Sequence, residues 1–284
     1  MPTWTSKPAR TLHRIAAVRE YMATNVLGPG GFRCGNLQSC RNSALYTRSG
    51  TLKRPPREFW EGQMSHIGLH YDMVEDGRPW RVMLLAMEVG RAWEHISLEE
   101  RREDQDNAIN VSFSQRKPHM RGTTSALRLA FGRRAGADRA GELLELTNAG
   151  YQHVMACYAL VNLRLCSAVA AGTTNSAATE VMSANCLAHL VATVRALEPT
   201  VCVLQGSTIR SAIDPAIENC ESLSHELPLE YVTLGGIDTI VANFPHPYQR
   251  GRNVHLNWGT SSNTAYLTDV VAPTLRAARE FALS

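Results

Sequence analysis

The stretch Arg81-Val82-Met83-Leu84-Leu85-Ala86-Met87-Glu88-Val89-Gly90 carries a continuous apolar run that ends abruptly in a carboxylate. A run of that length without alternation is what a strand covered on both faces requires. Three further runs have the same character: Val154–Val161, Thr200–Gln205 and Asp238–Asn243. Helical patterns lie before, between and after them, near Pro8–Asn25, Thr123–Phe131, Thr179–Leu197 and Leu267–Ala282. The first of these stops at the breaker cluster Gly28-Pro29-Gly30-Gly31, and Phe32–Trp80 reads as irregular. Strands alternating with helices predict one α/β domain of three layers, α/β/α, around a central, mainly parallel four-stranded sheet. Residues 1–80 would be an N-terminal helix and irregular region packed on a core of residues 81–284.

Composition narrows the function classes. The chain has 284 residues, 44% of them hydrophobic and 19% charged, with a net charge of +3. Such a chain buries a sizeable core and is not disordered throughout. No stretch approaches the roughly 20 apolar residues of a membrane helix. The first nineteen residues hold no apolar signal core, so a cytoplasmic location is expected. With no export signal, the seven cysteines read as thiols or metal ligands rather than a disulfide framework. Between Arg116 and Arg139, seven cations face Asp138 alone, a local +6, and Arg250 and Arg252 form a second basic cluster. Basic segments beside strand ends suit a phosphate-rich partner; a solvated face is the plainer alternative.

In parallel sheets ligands bind beyond the carboxyl ends of the strands. Glu88 follows the first strand, where a carboxylate can be held rigidly for acid–base work or can be an ordinary loop residue. Asn162 follows the second, and its amide offers donor and acceptor together, for reading a base edge or tying down a loop. Asn243-Phe244-Pro245-His246-Pro247-Tyr248-Gln249-Arg250 follows the fourth. Its prolines restrict the backbone around His246.

Taken in order, these segments resemble the uracil-DNA glycosylase superfamily over roughly residues 81–282. Ala86–Gly90 is similar to its first motif, with Glu88 at the place of the water-activating Asp or Asn. His246-Pro247 matches the second motif, and Asn162 matches the base-reading Asn. Lys117-Pro118-His119-Met120-Arg121-Gly122 resembles the segment that stacks on the base, with His119 where Phe is usual. Ala86 stands for Gly and Val89 for Pro. Asn162-x-x-x-Cys166, followed by Cys186 ahead of Leu197-Glu198-Pro199, resembles the iron–sulfur branch. Cys34 and Cys40 would then complete four thiolates for a [4Fe–4S] cluster or a zinc ion; free thiols are the alternative. The Cys34–Cys40 and Cys166–Cys186 spacings depart from that branch, as does the long stretch before the first strand.

The resemblance implies a DNA glycosylase with DNA as partner and neither a nucleotide cofactor nor a membrane. Glu88 would handle water and the cationic sugar, and His246 would stabilise charge on the departing base. Asn162, His119, Met87 and Gly90 would line the base pocket. Arg121, Tyr248, Arg250 and Arg252 would contact DNA. Gly90 replaces the Tyr that excludes C5 bulk in uracil-selective members, so a pocket for a modified pyrimidine is expected. Glucosylated hydroxymethylcytosine of phage DNA is such a base, with phage defence as the setting. Uracil repair and a non-cleaving modified-base binder are the alternatives.

Overall fold

The computed structural model describes residues 3–28, 31–62, 64–88, 97–173, 175–249 and 251–284. The first half runs β1 (Trp4–Ser6), α1 (Pro8–Asn25), β2 (Leu27–Gly28), β3 (Gly31–Phe32), α2 (Leu37–Leu45), β4 (Arg57–Trp60), β5 (His66–Ile67), β6 (Met73–Glu75), β7 (Arg78–Trp80), β8 (Val82–Ala86), α3 (Leu98–Ile109) and α4 (Pro118–Ala130). The second half runs β9 (Leu143–Leu146), β10 (Gly150–His153), β11 (Tyr158–Asn162), β12 (Ser167–Ala170), α5 (Glu180–Leu197), β13 (Val201–Gln205), α6 (Ile209–Ile213), β14 (Ile217–Ser222), β15 (Leu229–Leu234), β16 (Ile237–Phe244) and α7 (Ala272–Leu283).

The protein is mixed α/β, and its main sheet has seven strands rather than the expected four, in the order β14-β15-β16-β13-β8-β11-β5. The four apolar runs form its contiguous parallel middle, β16-β13-β8-β11. β5 adds antiparallel at one edge, and β15 and β14 add antiparallel at the other. The extra strands lack the continuous apolar signature. β15 mixes buried and solvent-facing residues, β14 is largely exposed, and β5 is two residues long. The β15–β16 hairpin turns at Gly235-Gly236, with φ of 58° and 84°, a left-handed pair that glycine adopts without strain.

Alternation along β8 divides the core in two. Val82, Leu84 and Ala86 pack with Ala126 and Leu127 of α4 and Leu275 and Ala278 of α7. Met83 and Leu85 pack with Ile15 and Val18 of α1, Leu190 and Val194 of α5, and Ile209 of α6. Each aliphatic side chain fully buried in this way contributes roughly 1.5–3 kcal/mol. Helices therefore cover both faces of the sheet.

Phe32–Trp80 is not irregular. It supplies α2 and four strands, β4 to β7, and β1, β6 and β7 join β9 and β10 in a second, five-stranded sheet. The elements there are two to nine residues long, too short for an apolar period to register. Val154–Val161 is also corrected. Its first three residues form a 3-10 turn, and the strand starts at Tyr158. Among the described residues no helix is long and apolar enough to cross a membrane.

Candidate active site and cysteine cluster

A cavity of about 1170 Å³ lies beyond the carboxyl ends of β8 and β11 and takes in His246 from the segment after β16. Met87, Glu88, His119, Asn162 and His246 all line it. They come from three strand exits and one helix start. Two backbone bonds lock the exits of β8 and β11 together, Leu163 N–H to Ala86 O at 2.8 Å and Arg164 N–H to Met87 O at 2.9 Å.

Glu88 is held fast. Arg164 Nε donates to its Oε2 at 2.7 Å, a second guanidinium nitrogen reaches the same oxygen, and Ser176 donates to Oε1. The two ion-paired side chains are 4% and 7% exposed. Arg164 also donates to Ser183 Oγ at 2.9 Å. The carboxylate and its cation thus line the cavity side by side.

Asn162 is 6% exposed, and its side-chain amide has no hydrogen-bond partner among the described residues. Because Asn162 lines the cavity, its amide offers a donor and an acceptor to whatever enters there. The other strand-end amide, Gln205, is fully buried and engaged. It lies 3.3 Å from Thr123 Oγ1 and hydrogen-bonds His119.

His119 and His246 lie against each other, with ring centroids 5.4 Å apart and planes inclined by 27°. Burial first, and then the neighbouring His246, push His119 down to about 4, so its ring is neutral at physiological pH. Two glycines permit the approach. A Cβ on Gly122 would sit 2.5 Å from Pro247 Cβ, and one on Gly259 would sit 2.1 Å from Pro118 O. Arg121 fastens the same junction, donating to Gly259 O at 2.9 Å and Ser114 O at 3.3 Å. The Tyr248 backbone holds His246 Nδ1, with its N–H 3.1 Å away and its carbonyl oxygen 2.9 Å away. Nδ1 either donates to that carbonyl or accepts from that N–H, according to the tautomer; in the second case Nε2 carries a proton and is the free donor.

Of the expected DNA contacts, Tyr248 is 41% exposed. Arg252 is exposed on the 3-10 segment Gly251–Leu256. Arg250 and Gly90 lie outside the described residues. Much of the Arg116–Arg139 charge turns inward. Arg116 makes a doubly bonded pair with Glu142, and Arg128 pairs with Asp138. Arg133 donates to Leu143 O. Glu142 also accepts from His153 at 2.8 Å. Burial alone would raise the Glu142 carboxyl, but the His153 and Arg116 hydrogen bonds outweigh it and bring it to about 2.

The four cysteines singled out by resemblance gather around α2, the segment between β11 and β12, and α5. Cys40, Cys166 and Cys186 are buried and Cys34 is half-buried. Burial pushes all three buried thiols up, Cys186 to about 12, and their mutual proximity adds to it. Backbone hydrogen bonds from Gly62 and Leu165 reach Cys166 and Cys186. Asn185 Nδ2 donates to Cys40 Sγ at 3.3 Å, and Cys34 Sγ lies 3.4 Å from His189 Nε2. Among the described residues, however, no three His, Cys, Asp or Glu side chains are arranged to hold a metal ion. Cys157 and Cys202 belong to the core, and Cys220 is exposed.

Sequence reasoning missed Arg164, Ser176 and Gln205. Arg164 sits two residues beyond Asn162, and Gln205 ends the third apolar run, so position relative to a strand end was the available signal. No protein-family model matches the chain, and no curated protein matches it.

Proposed function

We propose that the protein is a cytoplasmic DNA glycosylase of the uracil-DNA glycosylase type, hydrolysing the N-glycosidic bond of a flipped, modified pyrimidine. One observation carries this reading: Met87, Glu88, His119, Asn162 and His246, far apart in sequence, line a single cavity at the strand ends. A stacked base is out of reach of any side chain, so the target nucleotide must be extruded into that cavity. The unpartnered Asn162 amide supplies a donor and an acceptor for the Watson–Crick edge. His246 Nε2 donates to the charge growing on the departing base, as an oxyanion hole does. The neutral His119 ring, held by Gln205, offers an apolar face and no competing charge. Glu88, braced by Arg164 and Ser176, sets a fixed negative group opposite the sugar that becomes cationic.

Cavity size favours a base larger than uracil. Sites for drug-sized ligands occupy roughly 300–1,000 Å³, and this one is about 1170 Å³. Ser176, Thr179, Ser183, Thr208 and Ser211 give its wall a polar lining. Such a wall suits a glycosylated C5 substituent, as on glucosylated hydroxymethylcytosine in phage DNA. The deciding assay incubates the protein with duplexes carrying uracil, hydroxymethylcytosine or its glucosylated form, then cleaves abasic sites with hot alkali. Release of the glucosylated base is the expected result, and release of none overturns the reading.

The Glu88–Arg164 pair favours a second reading, a non-cleaving binder of modified bases, because a carboxylate so fastened is poorly placed to take a proton from water. Tight binding without strand scission in the same assay identifies it.

On donor chemistry alone, Cys34, Cys40, Cys166 and Cys186 would be four soft ligands for a [4Fe–4S] cluster, although no three of them are arranged to hold a metal ion among the described residues. Such a group would supply a structural tie between α2 and α5.

A further inference from the structure

Between Glu20 and Glu58 the chain has no carboxylate, yet it carries Arg33, Arg41, Arg48, Lys53, Arg54 and Arg57. Arg33 and Arg57 turn to backbone carbonyls. Lys53 donates to Ser43 O, and burial followed by Arg57 lowers its pKa. Arg41, Arg48 and Arg54 are exposed and have neither an ion pair nor a hydrogen bond among the described residues. Arg48 and Lys53 line a second depression of about 790 Å³ together with Tyr46, which is 38% exposed. Thr179 and Glu180, at the start of α5, line both this depression and the main cavity. The two are therefore adjoining compartments on either side of one helix start.

We propose that the Arg41–Arg54 segment is a second DNA-backbone surface, taking the phosphates of the strand that flanks the extruded base. This rests on the glycosylase reading for the nature of the partner. Arg48 and Tyr46 line the depression, and Arg41 and Arg54 are exposed, unpaired guanidinium groups on the same segment outside it; exposed cations with an aromatic ring among them are the combination that tracks a nucleic-acid strand. It also supplies what the Arg116–Arg139 segment does not, since much of that charge is internally paired. Phosphate contacts made here position the duplex without reading its sequence.

The test measures binding of an unmodified fluorescent duplex between roughly 50 and 200 mM salt. It compares the wild type with R41Q/R48Q/R54Q and with a control, K7Q/R10Q/R276Q, whose cations sit on elements lining neither compartment. The first variant should bind on the order of tenfold or more weakly and lose about two to three units of the log–log salt slope. The control should match the wild type. A single charge reversal, Arg48→Glu, should weaken binding by itself and guards against a folding defect in the triple variant. Equal affinity and slope in all proteins overturns the surface while leaving the glycosylase reading intact. A wild type that binds no duplex overturns both. A wild type that binds but releases no base overturns catalysis alone, with the salt-slope difference still supporting the surface.

Discussion

Arg164 and Glu88 line the cavity together, the guanidinium Nε 2.7 Å from the carboxylate, while Ser176 donates to the other oxygen. The pair is almost fully shielded from solvent. Removing one partner of a buried ion pair leaves an uncompensated charge and costs about 3–5 kcal/mol. Arg164→Met and Glu88→Gln should therefore each lower the unfolding midpoint, since either leaves one buried charge without its partner. Glu88→Gln should also slow base release by on the order of 10²-fold, with DNA affinity retained. A Glu88→Gln enzyme at the wild-type rate removes Glu88 from the chemistry.

The His246 ring depends on its neighbours. His246→Ala should reduce the single-turnover rate by on the order of 10²-fold, the usual loss for one donor at a developing anion. Gly122→Val should do similar harm from a distance, because its side chain would collide with Pro247 and part the two histidines. Crystal structures or ring-proton shifts of that variant would show His119 and His246 separated. Undisturbed stacking would contradict the packing argument.

His119 provides a pH signature. Burial, followed by His246, depresses it from 6.5 to about 4. The folded state thus favours the neutral ring, and the stability this contributes is complete above about pH 6.5 and is lost as pH falls toward 4. An NMR titration should find the His119 ring protonating near pH 4. A midpoint at 6.5 would mean that the ring is solvated.

Acid should also attack the Arg116–Glu142–His153 group. Glu142 is held at about 2 against an ordinary 4.5, so its contribution is fully present above about pH 4.5 and disappears as pH drops through 2. Denaturant midpoints of the wild type should fall steeply across that interval. Glu142→Gln should be less stable at neutral pH and flatter below pH 4.5. Parallel curves would place the acid sensitivity elsewhere.

For the thiols, protein prepared without air should contain about four irons per chain and absorb in the visible. Cys166→Ala should lower folding yield before it alters chemistry, since the four residues bridge α2 and α5. Protein with neither iron nor zinc would assign these cysteines to ordinary packing.

The parallel middle of the sheet was legible because β8, β11, β13 and β16 are buried on both faces and so are written as unbroken apolar runs. The edge was not, because β14 and β15 meet solvent and their residues answer to two environments. The helix α3 went unread, although Ser97 and Glu100 form a capping box at its start, where Ser97 accepts from the Glu100 N–H and the Glu100 carboxylate accepts from the Ser97 N–H. Asn162, Glu88, His119 and His246 emerged from motif order. Arg164 and Ser176 did not, since a carboxylate's partner is decided by which loops the sheet brings together. The run of cations around Arg128 misled for a related reason: sequence counts charges but does not show which ones Asp138 and Glu142 neutralise.

β8 serves three masters at once: Val82, Leu84 and Ala86 face one helical layer, Met83 and Leu85 the other, and Met87 and Glu88 continue into the cavity. A strand has a two-residue period, so inserting or deleting one residue within it exchanges the two faces. The same slip would carry the carboxylate of Glu88 away from Arg164. Length is thus under tighter constraint in this strand than chemistry is: Leu84→Ile is a repacking problem, but a single-codon deletion there would mis-set both cores and the site together.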